Sequence, residues 1–262
     1  MSRRRLDAEL VRRGLAVDRA EAQEAVRAGL VTVSGTRATK VATLVARDQS
    51  LHVSAAGRPF ASRGGVKLQA ALDRFEVDPA GRACLDAGAS TGGFTDCLLR
   101  SGASRVAAVD VGYGQLAWEL RTDPRVTVLE RTNVRTITAS MLGFRPELVL
   151  ADLSFISLRT VLPALAGVAT EDAAFVVLVK PQFEAAPDVA PGGVVRDPIV
   201  WHRVLEQTAI AFGGSGISPA GVMASPLPGP AGNAEFFLHA RRGARRPLDF
   251  EAAIAEAREL VT

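Results

Sequence analysis

From Arg82 onward the sequence alternates short apolar runs with stretches of helical spacing. ACLDAGA is followed by FTDCLLRSGA, and RVAAVDV by QLAWELR; VTVLE, ELVLADL, AAFVVLV, SPAGVMA and EFFLHAR come after, with helical segments around Leu158–Val168 and Ile199–Phe212. Runs that are apolar throughout suit strands covered on both faces, and strands separated by helices suit a parallel sheet. The pattern predicts a doubly wound α/β domain, and in such a sheet ligands bind beyond the carboxyl ends of the strands.

The loop joining the first of these strands to its helix reads DAGASTGGFTD, Asp86–Asp96. Gly88 opens backbone shapes closed to other residues, and Gly92 with Gly93 is expected to let a ligand approach the main chain. Asp110 ends the second strand about twenty residues further on, where a carboxylate can accept both hydroxyls of a ribose. A nucleoside-containing ligand is therefore expected. No G-x-x-x-x-G-K-[ST] occurs, which excludes a P-loop, and the glycine spacing does not make the G-x-G-x-x-G of dinucleotide folds.

With 262 residues, 48% hydrophobic and 23% charged, the chain has the make-up of a soluble globular protein of one or two domains. Its best apolar run, AAFVVLV at 173–179, is strand-sized, so no membrane span is expected. The start MSRRRLDAEL lacks an apolar core, so no signal peptide is expected either. Cys84 and Cys97 form neither a CxxC pair nor a disulfide framework and are expected in the core of a reduced, cytoplasmic protein. With no His/Cys cluster no metal is expected, and His52, His202 and His239 read as structural.

Charge divides the chain. Residues 1–66 hold 12 Lys/Arg against 6 Asp/Glu, whereas the remainder holds 19 against 22. A basic head ahead of a mildly acidic body favours a polyanion-binding module joined to something else. In the head, LDAELVRRGL reads as a helix ended by Gly14, and Asp18 opens a second helix closed by Gly29. LVTVSGTRATK reads as strand, turn and extended chain, and QSLHV as a last strand. Arg3, Arg4, Arg12, Arg13, Arg19, Arg27, Arg37 and Lys40 are candidates for phosphate contacts without burial cost. GRPFASRGG, 57–65, reads as a linker by composition and carries a further basic candidate, Arg63. VKLQAALDRF then returns to helical spacing, with Val66, Leu68, Ala71, Leu72 and Phe75 available for packing. Lys67 falls in its first turn, where a cation opposes the helix dipole.

Asp152 ends the fourth strand of the body, Lys180 the fifth, and Glu235 begins the last. All three are expected to face the ligand crevice, and with Lys67 they form a Lys-Asp-Lys-Glu set.

Two small helices followed by AGLVTVSG and a basic turn resemble the S4 RNA-binding domain. LDAGASTGGFT resembles the acid-then-glycine loop of S-adenosylmethionine-dependent methyltransferases. The order Lys67, Asp152, Lys180, Glu235 resembles the tetrad of FtsJ/RrmJ-type RNA 2′-O-methyltransferases. SRGGVKL, DVGYGQL, ERTNVR, ADLSFISL, LVKPQFE and SPLPGPAGNAEFFL extend the likeness over nearly the whole chain, to the TlyA family. The resemblance implies an α/β protein with a small S4-like α+β domain over 1–56 and a Rossmann-like class I methyltransferase domain over 66–262. It implies S-adenosylmethionine as cofactor, held by Asp86, Gly88, Ala89, Ser90, Thr91, Gly92, Gly93, Phe94, Asp110, Asn133 and Asp152. It further implies a monomeric cytoplasmic enzyme that methylates cytidine ribose in ribosomal RNA of the large subunit and, in some members, of the small.

The chemistry is consistent with that set. A ribose hydroxyl is a poor nucleophile that must be oriented and deprotonated. Lys180, held by Asp152 and Glu235, is the expected orienting group and base, since burial and a second cation lower a lysine's pKa; Lys67 supplies that cation or positions a phosphate. Which lysine is the base stays open at this level. The family also carries a haemolysin label, so a membrane-active toxin is the rival reading, disfavoured by the lack of a signal or a spanning helix. A non-catalytic RNA-binding protein is a third, opposed by the complete tetrad.

Overall fold

The structure, a computed structural model, describes residues 3–16, 18–27, 29–53, 59–186, 189, 191–243 and 247–261. The chain divides into two compact units, Met1–Pro59 and Phe60–Thr262.

The first unit contains β1 (Arg3–Arg5), α1 (Leu6–Arg12), α2 (Arg19–Arg27), β2 (Val31–Val33), β3 (Thr36–Arg37), β4 (Leu44–Ala46) and β5 (Leu51–Val53). β3-β2-β5 form one small antiparallel sheet, and β1 pairs with β4. Leu6, Leu10, Ala22, Val26, Val31 and Val45 make its core. Ser34 and Gly35, both at positive φ, form the tight β2–β3 turn, as primed hairpin turns require. β1 was not expected: three consecutive arginines carry no strand pattern, and β1 is held by its backbone pairing to Leu44, Val45 and Ala46.

The second unit begins with α3 (Arg63–Phe75), capped by Ser62, whose hydroxyl accepts from the Gly64 N–H. Residues 63–65, expected as the end of the linker, are therefore the first turn of this helix; 57 and 58 lie outside the described residues. Lys67 consequently sits in the second turn. Val66, expected to pack, is exposed, because the helix turns Leu68, Ala71 and Leu72 inward. Then follow β6 (Ala83–Ala87), α4 (Gly93–Arg100), β7 (Arg105–Val109), α5 (Trp118–Arg121), β8 (Val126–Leu129), α6 (Ala139–Leu142), β9 (Leu148–Ala151), α7 (Leu158–Val168), β10 (Ala174–Val179), α8 (Pro181–Glu184), α9 (Pro198–Gly214), β11 (Ser218–Ala224), β12 (Phe236–Arg241) and α10 (Phe250–Leu260).

The seven strands lie in the order β11-β12-β10-β9-β6-β7-β8. β12 runs antiparallel between β10 and β11, and the other neighbours pair in parallel. Two apolar layers cover the faces of this sheet: one from Leu158, Leu162, Leu165, Trp201 and Phe212, the other from Leu68, Leu72, Phe94 and Leu98. Both cysteines are buried and free, and burial pushes each thiol up to about 12. No helix among the described residues is long and apolar enough to cross a membrane.

Candidate active site

The glycine loop leaves β6 at the carboxyl edge of the sheet. Gly88 has φ +90°, and a Cβ there would lie 2.2 Å from the carbonyl oxygen of Asp152. Only glycine lets the end of β6 approach the end of β9 so closely. The other two glycines serve the protein itself. A Cβ on Gly92 would lie 2.2 Å from Leu120 Cδ1, and one on Gly93 would lie 2.2 Å from Ser62 Oγ and 2.9 Å from Gly65 N. Glycine is thus required at both positions by the protein's own packing, since Leu116, Leu120 and the start of α3 fill the space that a side chain would take.

A cavity of about 250 Å³ lies beside this loop, lined by Ser62, Arg63, Lys67, Gly88–Thr91, Gly93, Phe94, Asp152, Lys180, Pro230 and Glu235. It brings together all four residues of the Lys-Asp-Lys-Glu set. Lys67 Nζ donates to Glu235 Oε2 at 2.6 Å, with both side chains buried. Lys180 Nζ lies 2.6 Å from Asp152 Oδ1 and donates to Ser154 Oγ at 3.1 Å. The tetrad is therefore two ion pairs. Glu235 holds Lys67 and not Lys180, because α3 begins early enough to bring Lys67 to the start of β12.

Asp86 is fully buried at the end of β6. Its Oδ2 accepts from Thr95 Oγ1 at 2.7 Å, whereas Oδ1 has no hydrogen-bond partner. Burial, reinforced by Asp152 and Asp110, pushes this carboxyl up to about 7. Asp110 accepts from the Ser90 N–H at 2.8 Å and the Gly112 N–H at 2.7 Å, one on each oxygen. It thereby ties the glycine loop to the end of β7, and each oxygen keeps a second lone pair. Asn133 is exposed and does not line the cavity; its Oδ1 caps the turn at 134–136 by accepting from the Arg135 N–H.

A residue that sequence reasoning missed stands beside Lys180. Phe155 is 91% exposed and has φ +64°, a costly backbone state for an aromatic residue. Its ring leans on Phe183 at 5.0 Å. An aromatic residue in the DLSFIS loop, directly after the strand end that carries Asp152, was the available signal.

The basic candidates fall into two groups. Asp7 and Glu9 are buried, and arginines hold both carboxyls well below the usual range. Arg5 and Arg19 pair with Asp7, and Arg12 and Arg13 with Glu9. Arg13 also donates to the carbonyls of Ala46, Arg47 and Gln49, so its guanidinium fastens the turn between β4 and β5. Its reading as a phosphate contact is corrected to a structural one. Arg3, Arg4, Arg27, Arg37 and Lys40 lie on the surface of the first unit, and Arg63 lies at the rim of the cavity.

The FtsJ-like methyltransferase family matches residues 60–242, and the S4 domain matches residues 4–50. The chain is 55% identical over 251 residues to the 16S/23S rRNA (cytidine-2′-O)-methyltransferase TlyA of Mycobacterium tuberculosis, covering 95% of this chain and 94% of that protein. It is 36% identical to Hemolysin A of Brachyspira hyodysenteriae, covering 90% and 98%. Among solved structures, one from Streptococcus thermophilus described as a hemolysin aligns with a TM-score of 0.73 at 36% identity, covering 99% and 97%. An S-adenosylmethionine dependent methyltransferase from Mesorhizobium loti shares the fold at 16% identity, with a TM-score of 0.51 over 69% of this chain and 100% of that one. Matched along nearly its whole length, the chain belongs to the TlyA family of FtsJ-like methyltransferases with an S4 domain.

Proposed function

We propose that the chain transfers a methyl group from S-adenosylmethionine to the ribose 2′-hydroxyl of cytidine in ribosomal RNA, of the large subunit and also of the small. The observation that carries the reading is one cavity shared by the glycine loop and two lysine–carboxylate pairs. The residues fit the cofactor: a cationic sulfonium compound suits a cavity lined by the Asp152 carboxylate and the Gly88–Thr91 loop, and the buried Asp86 at the end of β6 keeps an Oδ1 without a partner. Asp86, the backbone of 88–94, Asp110 and Asp152 are its proposed holders, with Asn133 contributing from the β8 loop. When bound, S-adenosylmethionine supplies an electrophilic methyl group.

The remaining work falls to this chain's own groups. Lys180, fixed by Asp152 and Ser154, holds the hydroxyl oxygen in line and, when neutral, takes its proton. The Lys67–Glu235 pair keeps a cation in the wall beside it, and Arg63 at the rim meets a backbone phosphate. Phe155 offers its exposed ring to the base of the target nucleotide, and base–aromatic stacking contributes about 1–3 kcal/mol. The first unit supplies RNA affinity mainly through Arg3, Arg4, Arg27 and Lys40, with Arg37 and the carboxylate-paired Arg12 and Arg19 as lesser contributors. The protein acts as a monomer in the cytoplasm, on RNA or assembled subunits, with no metal.

Mass mapping of ribose methylation on both ribosomal RNAs tests the reading, in cells lacking the gene and complemented with wild type or Lys180→Ala. Restoration by wild type alone is expected. Methylation that is unchanged by loss of the gene, or restored by Lys180→Ala, overturns the assignment.

A further inference from the structure

The segments that follow β9 and β10 are laced together along their length. At one end Asp152 meets Lys180 at 2.6 Å. Next, Lys180 donates to Ser154, and the Phe155 ring rests on Phe183 at 5.0 Å. The far end is closed by Glu184, the last residue of α8, which is 5% exposed. Its Oε2 accepts from the Ser157 hydroxyl and its Oε1 from the Leu158 N–H, both at 2.5 Å. Arg159 locks this end from outside, donating to the Glu184 carbonyl at 2.8 Å and to Gln207 Oε1 at 3.0 Å.

Few groups could occupy this position. A carboxyl buried away from water is costly unless its oxygens are met by donors, and here two short bonds meet them. Ser157 and Leu158 open α7, so the carboxylate also faces the positive end of that helix. Lys180 is four residues before Glu184 and Asp152 is five before Ser157, so displacing the far end shifts the whole segment that carries the ion pair. The strained backbone at Phe155 lies between the two fastened ends, and such strain persists only where its surroundings over-determine it.

We infer that Glu184 is a positioning residue for methyl transfer: by joining Ser157 and Leu158 to α8, it fixes the distance between Asp152 and Lys180 and the presentation of the Phe155 ring. The inference rests on the reading of Lys180 and Asp152 as reacting groups.

The test compares Glu184→Ala, Glu184→Gln, Glu184→Asp and Ser157→Ala with wild type in the full chain, with Lys180→Ala as reference. Steady-state methyl transfer to ribosomal RNA is measured well below each variant's Tm, and S-adenosylmethionine affinity by calorimetry. A displacement of about 1 Å at a reacting group costs on the order of 10²-fold in rate. Glu184→Ala is therefore expected to lower kcat by roughly 10- to 100-fold, with KM for RNA and Kd for the cofactor within about threefold. Glutamine keeps the length, an acceptor for Leu158 and a donor for Ser157, and should recover activity to within about tenfold of wild type. Aspartate is one methylene too short to meet both partners and should not recover it. Ser157→Ala should lose less than Glu184→Ala. A rate for Glu184→Ala at the wild-type level, or a loss that only follows its folded fraction, overturns the inference. So does equal recovery by aspartate and glutamine. If Lys180→Ala itself remains active, the reading of the site fails instead, and the two failures are thereby told apart.

Discussion

The buried Lys67–Glu235 pair allows stability and activity to be separated by substitution. The two side chains are 8% and 2% exposed and meet at 2.6 Å. Removing one partner leaves the other charge buried without compensation, at a cost of about 3–5 kcal/mol; replacing both with apolar side chains of similar volume is roughly neutral or stabilising. Methionine has about the right length and adapts to irregular space. Lys67→Met and Glu235→Met should each destabilise the second unit strongly, and the double variant should regain most of the loss. For a unit of this size each kcal/mol moves Tm by roughly 2–4 °C, so each single variant should melt about 6–20 °C lower. The transition to follow in thermal denaturation is the one that S-adenosylmethionine raises, because ligand binding marks the unit that holds it. All three variants should be inactive, the double variant while folded. Single variants that melt within about 2 °C of wild type would mean that the pair is effectively solvated and the energetic argument wrong. A folded, active double variant would remove the pair from the chemistry.

Three further outcomes are expected. The native state holds a proton on Asp86 between about pH 4 and pH 7 that the unfolded chain releases, so this residue makes stability fall as pH rises through that window and level off above it; Asp86→Asn should flatten that part of the Tm-against-pH curve, and an unchanged slope counts against the burial argument. Phe155→Ala should leave cofactor affinity and Tm unchanged, since the ring is exposed, and should reduce kcat/KM on RNA by roughly 5- to 100-fold if it stacks on a base; equal kcat/KM removes that role. A chain starting at Phe60 keeps the Ser62 cap and both apolar layers of the second unit, so it should bind S-adenosylmethionine normally and fail to methylate ribosomal RNA; methylation at the full-length rate would place the RNA affinity in the second unit.

The body of the fold was readable because its strands are apolar on both faces, a pattern that few alternatives share. The α7 bounds match the expected Leu158–Val168, since Ser157 caps one end. α10 went unread although its signal was present: Asp249 caps it, and Ala253, Ile254 and Ala257 fall on one face. Asp152, Lys180 and Glu235 could be picked out because strand ends project into one crevice, and Lys67 because a lysine near the start of a helix is out of place. Their pairing could not, because it depends on where α3 starts, and a glycine-rich SRGG looks like linker until Ser62 is seen capping it. The roles of Gly92 and Gly93 were hidden for a similar reason. Composition tells that a side chain is missing, and only the neighbours, Leu120 on one side and Ser62 on the other, tell what fills the space.

Charge shows where counting stops being informative. The first unit looks strongly basic in sequence, but four of its arginines answer two buried carboxylates, Asp7 and Glu9. An ion pair with a buried acid leaves little net field for a distant phosphate, and Arg13 has its donors directed at carbonyls besides. On the proposed reading, the electrostatic attraction for RNA falls mainly to the exposed Arg3, Arg4, Arg27 and Lys40. Each cation that displaces condensed counterions adds nearly one unit to the slope of log affinity against log salt. Neutralising any of these four should lower that slope, whereas Arg13→Met should leave it in place and lower stability instead. The distinction is physical: a cation contributes most to RNA binding where no carboxylate of its own chain has already claimed it.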